Sequence, residues 1–253
     1  MLKLLNLKPG SDFDYTLLIF PHAGGSPNQY KAVVDYLPSS FGLMGVLLAG
    51  REGFYTEDQP DSLESLAVKL VIELSKVKTQ QLVFWGHSMG ALLAYETAQR
   101  LTGRLKHLFV SGHVAPHVQL PRAQRHLLND AELKACLLEL SGTPQSIMNN
   151  DEFMEMVLPM IRSDFKLCDT YEFKLANCNR LNCPITAFSG AEDVRMGSAG
   201  ICEWSKYTKK DFKPYFYEGN HFFIFEQMFL VVQKLVQRIY FCQSLGDELN
   251  FVC

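Results

Sequence analysis

Gln81-Leu82-Val83-Phe84-Trp85-Gly86-His87-Ser88-Met89-Gly90-Ala91-Leu92-Leu93-Ala94 is the stretch on which the fold turns. An apolar run of strand length, Gln81–Trp85, enters a G-x-S-x-G pattern, and the pattern opens into a segment of helical period, Gly90–Leu101. The bare pattern arises often by chance. Set between a strand and a helix it predicts a sharp, strained turn that holds the serine hydroxyl at the top of a sheet. Side chains at 86 and 90 would clash in such a turn, so glycine is required there. The helix that begins beyond Ser88 turns its positive end toward any negative charge developing at the hydroxyl. Ser88 is therefore the candidate nucleophile.

Outward from this turn, strand-length apolar runs alternate with helical segments. Strands are predicted at Tyr15–Phe20, Gly42–Leu48, His107–Ser111, Ile185–Ser189 and Lys213–Tyr217. Helices are predicted at Gln29–Leu37, at Ser62–Leu74 with Ser62 as N-cap and Ser65 at the capping-box position, near Ile201–Lys206, and over about Phe225–Tyr240. This alternation implies an α/β fold with a mainly parallel central sheet covered on both faces. Between Ala115 and Asn182 the patterns are helical only. One crossover needs far fewer residues. The segment at about 115–182 is therefore expected to be a helical cap, inserted before the strand that leads to the candidate aspartate, in a single domain spanning 1–253.

A serine hydroxyl is a weak nucleophile at neutral pH and needs a base, which in turn needs an orienting carboxylate. On a strand–serine–helix fold the chain order is Ser, then Asp or Glu, then His. Ser189-Gly190-Ala191-Glu192-Asp193 and Gly219-Asn220-His221 each follow a predicted strand, so both sit on the edge of the sheet that carries Ser88. His22, His87, His107, His113, His117 and His126 precede the acidic loop and fall out of order. His221 is the candidate base and Asp193 the candidate carboxylate, with Glu192 and Asp164 as alternatives. The oxyanion would be met by the backbone N–H of Met89 and by that of Ala23, in the glycine-containing loop Pro21-His22-Ala23-Gly24-Gly25. His22 would line the entrance or stand as a neutral loop histidine.

Composition narrows the class. The 253 residues carry a formal charge of −3, which leaves no basic excess for a phosphate backbone, so nucleic acid is not an expected partner. No apolar run reaches the roughly 20 residues needed to cross a bilayer. The segment Met1 to Gly10 lacks the features of a signal peptide, and a cytoplasmic, monomeric protein is expected. The seven cysteines are odd in number, irregularly spaced and without a CxxC pair. They are expected to be reduced and mostly buried, not a disulfide framework or a zinc site.

Taken together the motifs resemble those of the type II thioesterases, the stand-alone enzymes that accompany nonribosomal peptide and polyketide synthases. The resemblance runs through Phe20-Pro21-His22-Ala23-Gly24-Gly25, Gly50-Arg51-Glu52, Gly86-His87-Ser88-Met89-Gly90 with Ala94-Tyr95-Glu96, and Ser111-Gly112 with Ala115-Pro116-His117. It continues through Leu140-Ser141-Gly142-Thr143-Pro144, Leu158-Pro159-Met160-Ile161-Arg162-Ser163-Asp164-Phe165, Asp169-Thr170-Tyr171, Cys183-Pro184-Ile185 and Gly219-Asn220-His221-Phe222-Phe223. It implies an α/β-hydrolase fold with a triad on Ser88, Asp193 and His221. It implies hydrolysis of acyl, aminoacyl or peptidyl thioesters on carrier-protein domains of a synthase, as a step that removes misprimed or stalled groups. No metal and no free cofactor is implied, since the phosphopantetheine belongs to the carrier protein. The departures from the family pattern are Ala49 and Val194 in place of proline, Ser163 in place of alanine, and His113 in place of arginine; the last bears on cap contacts and substrate preference. Arg162 and Asp164 are expected to pair within the cap. Phe153, Met154, Met156, Leu158, Met160 and Phe165 are expected mostly to pack between helices, with an acyl pocket as the alternative. A general esterase, an acyltransferase and a non-catalytic binding module on the same fold are the competing functional readings.

Overall fold

The structure is a computed structural model that describes residues 2–10, 12–54, 61–79, 81–101, 103–118, 124–140, 148–174, 179–193 and 196–250, with side chains to 242. The segment 141–144, Val194, Cys178 and Cys253 lie outside the described residues.

Seven strands form one sheet in the order β1-β3-β2-β4-β5-β6-β7. They are β1 (Leu2–Asn6), β2 (Tyr15–Phe20), β3 (Phe41–Leu48), β4 (Gln81–His87), β5 (Leu105–Ser111), β6 (Ile185–Gly190) and β7 (Phe212–Tyr217). Every neighbouring pair is parallel except β1 with β3. β1 has no counterpart in the sequence analysis. A five-residue edge strand pairs on one side only and carries too short a pattern to stand out. Pro214 lies in β7, at the other edge, where a missing N–H costs no ladder bond.

The inner strands are apolar on both faces, and successive residues feed different cores. Leu18, Phe20, Leu82, Phe84, Leu108 and Val110 join α1 (Leu63–Ser75) and α2 (Met89–Arg100). Leu17, Ile19, Val83, Trp85 and Phe109 join the 3-10 helix Pro27–Tyr36 and the C-terminal helix on the other side. Ser62 caps α1 with Ser65 completing the capping box, as expected. The helix expected at Gln29–Leu37 starts earlier because Ser26 caps it and Pro27 fits the first helical position. It ends at Tyr36, ahead of Pro38.

Between β5 and β6 the described residues hold helices and no strand. α3 is Asp130–Glu139 and α4 is Asp151–Asp169, with Pro159 inside it. Apolar residues of both, together with Met148 between them, form a small core of Leu133, Leu137, Met148, Met154, Leu158, Ile161 and Phe165, while Leu167 of α4 joins the body core. The helix expected near Ile201–Lys206 is a short α5 (Ser198–Cys202) continued by a 3-10 turn, Glu203–Tyr207. The final segment divides into α6 (Phe223–Glu226) and α7 (Met228–Asn250). No helix among the described residues is long and apolar enough to cross a membrane. The five described cysteines are unbridged. Only Cys183 is buried and Cys202 is exposed, which corrects the expectation that most are buried.

The strand order reverses around β2: β3 lies on one side of it and β4 on the other. Ligands of open α/β sheets bind at such a switch point, beyond the carboxyl ends of the strands. There the Pro21–Gly25 loop leaves β2 and Ser88 leaves β4. The two are so close that a Cβ at Gly90 would overlap the carbonyl oxygens of Phe20 and Pro21, and a Cβ at Gly86 would overlap the Gly90 carbonyl. Gly90→Ala is expected to lower Tm by about 5 °C or more, because backbone rather than a movable side chain must give way. Thermal melts beside Ser88→Ala, which fills no space, would check it.

Candidate active site

Ser88 has φ 55° and ψ −120°, outside the favoured regions for a residue with a side chain. The turn is held by Ser88 N–H donating to the Ser111 carbonyl at 2.8 Å and by Ala91 N–H donating to the Ser88 carbonyl at 2.9 Å. Ser111, on β5, does more than that. Its hydroxyl takes the indole N–H of Trp85 at 3.1 Å and lies 2.9 Å from His87 Nδ1. The sequence marks Ser111 only as part of a family motif; nothing local shows that β5 braces the neighbouring strand's turn.

The loops after β6 and β7 are joined by backbone bonds. Ala191 N–H donates to the Tyr217 carbonyl at 2.7 Å and Glu192 N–H to the Gly219 carbonyl at 3.0 Å. This brings Asp193 Oδ2 to 2.7 Å from His221 Nδ1, while His221 Nε2 lies 3.0 Å from Ser88 Oγ. Asp193 and His221 are buried and Glu192 is exposed, so of the three candidate carboxylates it is Asp193 that touches the imidazole.

The other six histidines have different partners. His22 bonds Tyr30, His87 bonds Ser111, His107 bonds Thr186, and His113 lies on the Val114 carbonyl. His117 lies between Tyr207 and Glu203, and His126 against Asp169. His22 does not line an entrance: it is buried, its ring 4.9 Å from that of Phe222. Burial, then the charges of His221 and Arg51, drive its pKa down to about 3. Burial above all, with His221 next, holds His87 well below the usual range, and burial first takes His113 to about 4. These three rings are thus neutral at physiological pH, and none repels an imidazolium formed at His221.

On the oxyanion side, Gly24 N–H donates to Asp164 Oδ2 at 2.7 Å and Gly25 N–H donates to the His22 carbonyl at 2.9 Å. No acceptor among the described residues takes the N–H of Ala23 or of Met89. Asp164 does not pair with Arg162 as expected. Its partner is Arg51, which donates from Nη2 to both carboxylate oxygens at 2.9 and 2.8 Å. Arg162, two positions away on α4, points elsewhere and binds the carbonyls of His126 and Leu128 and the Asp130 carboxylate. Positions 162 and 164 lie about 200° apart around a helix, so one helix cannot aim both at the same spot. Of the apolar residues singled out in the insertion, Met154, Leu158 and Phe165 are core and Met160 packs beside them, whereas Phe153 and Met156 face solvent.

An alkoxide generated at Ser88 Oγ would have a base in contact, a carboxylate behind that base and a helix N-terminus below. A parallel sheet with a strand–serine–helix turn and this grouping defines an α/β-hydrolase. The chain belongs to the thioesterase family, whose model, described as a thioesterase domain, matches residues 15–239. It is 30% identical over 239 residues to the gramicidin S biosynthesis protein GrsT of Aneurinibacillus migulanus, covering 93% of each chain. Among solved structures it is similar to the type II thioesterase BorB from the borrelidin biosynthetic cluster, with a TM-score of 0.85 at 30% identity, covering 93% of this chain and 97% of that one. ClbQ from the colibactin NRPS/PKS pathway superposes with a TM-score of 0.85 at 26% identity over 92% of this chain and 99% of that one.

The depressed histidines make stability depend on pH. An unfolded chain protonates each ring near pH 6.5, whereas the folded chain does so near 3 for His22 and near 4 for His113. The unfolded state therefore binds more protons in between, and stability present above about pH 6.5 drains away as pH falls toward 4. Melts across this window are expected to show a falling Tm, and His22→Gln a shallower fall. A variant that lost stability as steeply as the wild type would rule His22 out as one of the groups responsible.

Proposed function

We propose that the protein hydrolyses acyl, aminoacyl or peptidyl thioesters carried on the phosphopantetheine arm of carrier proteins, and so clears misprimed or stalled groups from a nonribosomal peptide or polyketide synthase. The observation that carries the reading is His221 in contact with both Ser88 and Asp193, in a chain of the thioesterase family. Relatives named for gramicidin S biosynthesis and for an NRPS/PKS pathway supply the biosynthetic setting.

In this mechanism His221 Nε2 takes the Ser88 proton as Oγ attacks the thioester carbonyl. The carbonyl electrons move onto oxygen, which the amides of Ala23 and Met89 meet. Collapse expels the thiolate of the carrier's arm, and His221 returns the proton to it. The acyl group is left as an ester on Ser88. Water, deprotonated by His221, attacks that ester by the same route and releases the acid. Asp193 keeps the Nδ1 proton in place, so that Nε2 is the free base, and stabilises the imidazolium. The neutral His22 and His87 add no opposing charge. The helical insertion covers the site as a cap, under which the arm enters.

Release of an acyl group from a phosphopantetheinylated carrier protein, followed by intact-protein mass spectrometry, tests this. Wild type is expected to deacylate the carrier, Ser88→Ala to lose the activity, and Asp193→Asn to fall by about 10⁴-fold in kcat through the wrong tautomer. The same acyl group on free pantetheine and on an oxygen ester belongs in the experiment. Rapid hydrolysis of the oxygen ester with the carrier left loaded would instead make the protein a general esterase, and transfer of the acyl group to an added amine or alcohol an acyltransferase.

A further inference from the structure

We propose that Asp164 and Arg51 are positioning residues that hold the Pro21–Gly25 loop where Ala23 N–H meets the oxyanion, so that the seating of the inserted helix governs transition-state stabilisation. The inference rests on the hydrolytic reading above and extends it to two side chains outside the Ser88–His221–Asp193 group.

α4 meets the body through one short face. Ile161 packs on Gly24, which has φ +75° and where an added Cβ would lie 3.1 Å from Ile161 Cγ1. Met160 packs in the same way on Gly50. One turn further along, Asp164 reaches into the loop, with its side chain 3% exposed, and accepts Gly24 N–H. Arg51, 6% exposed, grips the same carboxylate through Nη2 and donates from Nη1 to the Gly25 carbonyl at 2.6 Å. Glu52, next to it, accepts from the Ser26 hydroxyl at the far end of the loop. Ala23 itself packs against the body core and the insertion core together.

Three polar groups of the loop are thereby held. Gly24 N–H goes to Asp164, Gly25 N–H to His22, and the Gly25 carbonyl to Arg51, while Pro21 has no N–H to give. The Ala23 N–H shares its peptide plane with the His22 carbonyl, which Gly25 N–H holds at 2.9 Å, and the bonds from Gly24 N–H to Asp164 and from Arg51 to the Gly25 carbonyl hold that short turn in place. Stability alone is a poor account of this arrangement. A buried ion pair costs desolvation that an apolar pair of similar volume avoids. Arg51 Nε is moreover buried with no partner among the described residues, a further cost. What the pair does supply is one carboxylate that satisfies a guanidinium and a backbone amide at once, with no net charge to oppose an oxyanion.

The test compares Asp164→Asn and Arg51→Lys with a control on the same helix, Asp169→Asn. Asp169 is buried as well, but holds Arg125 and His126 and does not touch the loop. Two quantities are measured: steady-state hydrolysis of S-hexanoyl pantetheine, and inhibition by the matching trifluoromethyl ketone, whose adduct on Ser88 places an oxyanion in the same spot. The loop variants are expected to lose about 10- to 100-fold in kcat with KM nearly unchanged, and the Ki of the ketone to rise by the same factor. Asp169→Asn should lower Tm while leaving both constants alone. Folded loop variants with normal kcat and Ki, or with a defect in KM only, would overturn the positioning role. So would an Asp169→Asn that matched them. If the single variants fail to fold, the double variant Arg51→Met with Asp164→Leu keeps the volume without buried charge. It is expected to fold and to show the same paired loss, and full activity or failure to fold in it would overturn the proposal. A wild type that hydrolyses no acyl thioester would instead overturn the reading of function on which the proposal stands.

Discussion

The backbone of Ser88, bent to φ 55°, is the constraint to which the rest of the molecule is fitted. A serine in that region is strained, and strain persists only where its surroundings over-determine it. β4 and α2 supply the surroundings from the chain itself, since Gly86 and Gly90 let strand, helix and the end of β2 approach without side chains between them. β5 supplies the remainder: the Ser111 carbonyl takes the Ser88 amide, and the Ser111 hydroxyl secures His87 and Trp85 on either side of Gly86. The result is a hydroxyl that stands clear of the sheet above a helix N-terminus.

Around this turn charge is sparing. The rings of His22, His87 and His113 are kept neutral chiefly by their burial. Positive charge that develops at His221 in the proposed mechanism therefore faces the Asp193 carboxylate and, among the described residues, no cation in direct contact. The second buried carboxylate, Asp164, is neutralised by Arg51 and turned toward the loop's backbone. The two acids are thus separated by partner: one steers an imidazole, the other an amide.

Much of this was legible along the chain. The turn at Ser88 is a local event, written in neighbouring residues, and the strands that flank it are apolar on both faces and easily seen. Asp193 and His221 could be chosen because each follows a strand and because chain order restricts the alternatives. The choice between Asp193 and Glu192 needed the structure, since adjacent residues in a turn point to different sides and only the bonds from Ala191 and Glu192 to the next loop reveal which faces inward. The expected Arg162–Asp164 pair failed because nearness in sequence on a helix is not nearness in space, and the partner lies 113 positions away. β1 was invisible for a related reason: its identity comes from the edge of β3 that it covers.

Sequence alone determined the class of fold, the nucleophile and the short set of groups from which its base and carboxylate could come, because these depend on strand length, helical period and the stereochemistry of a single turn. Tertiary structure alone decided which carboxylate reaches the imidazole, which histidines are buried neutral, and that the inserted helix is tied to the loop facing Ser88. Those are properties of groups distant in sequence, and they follow from desolvation and hydrogen-bond geometry that exist only once the sheet has brought its loops to one edge.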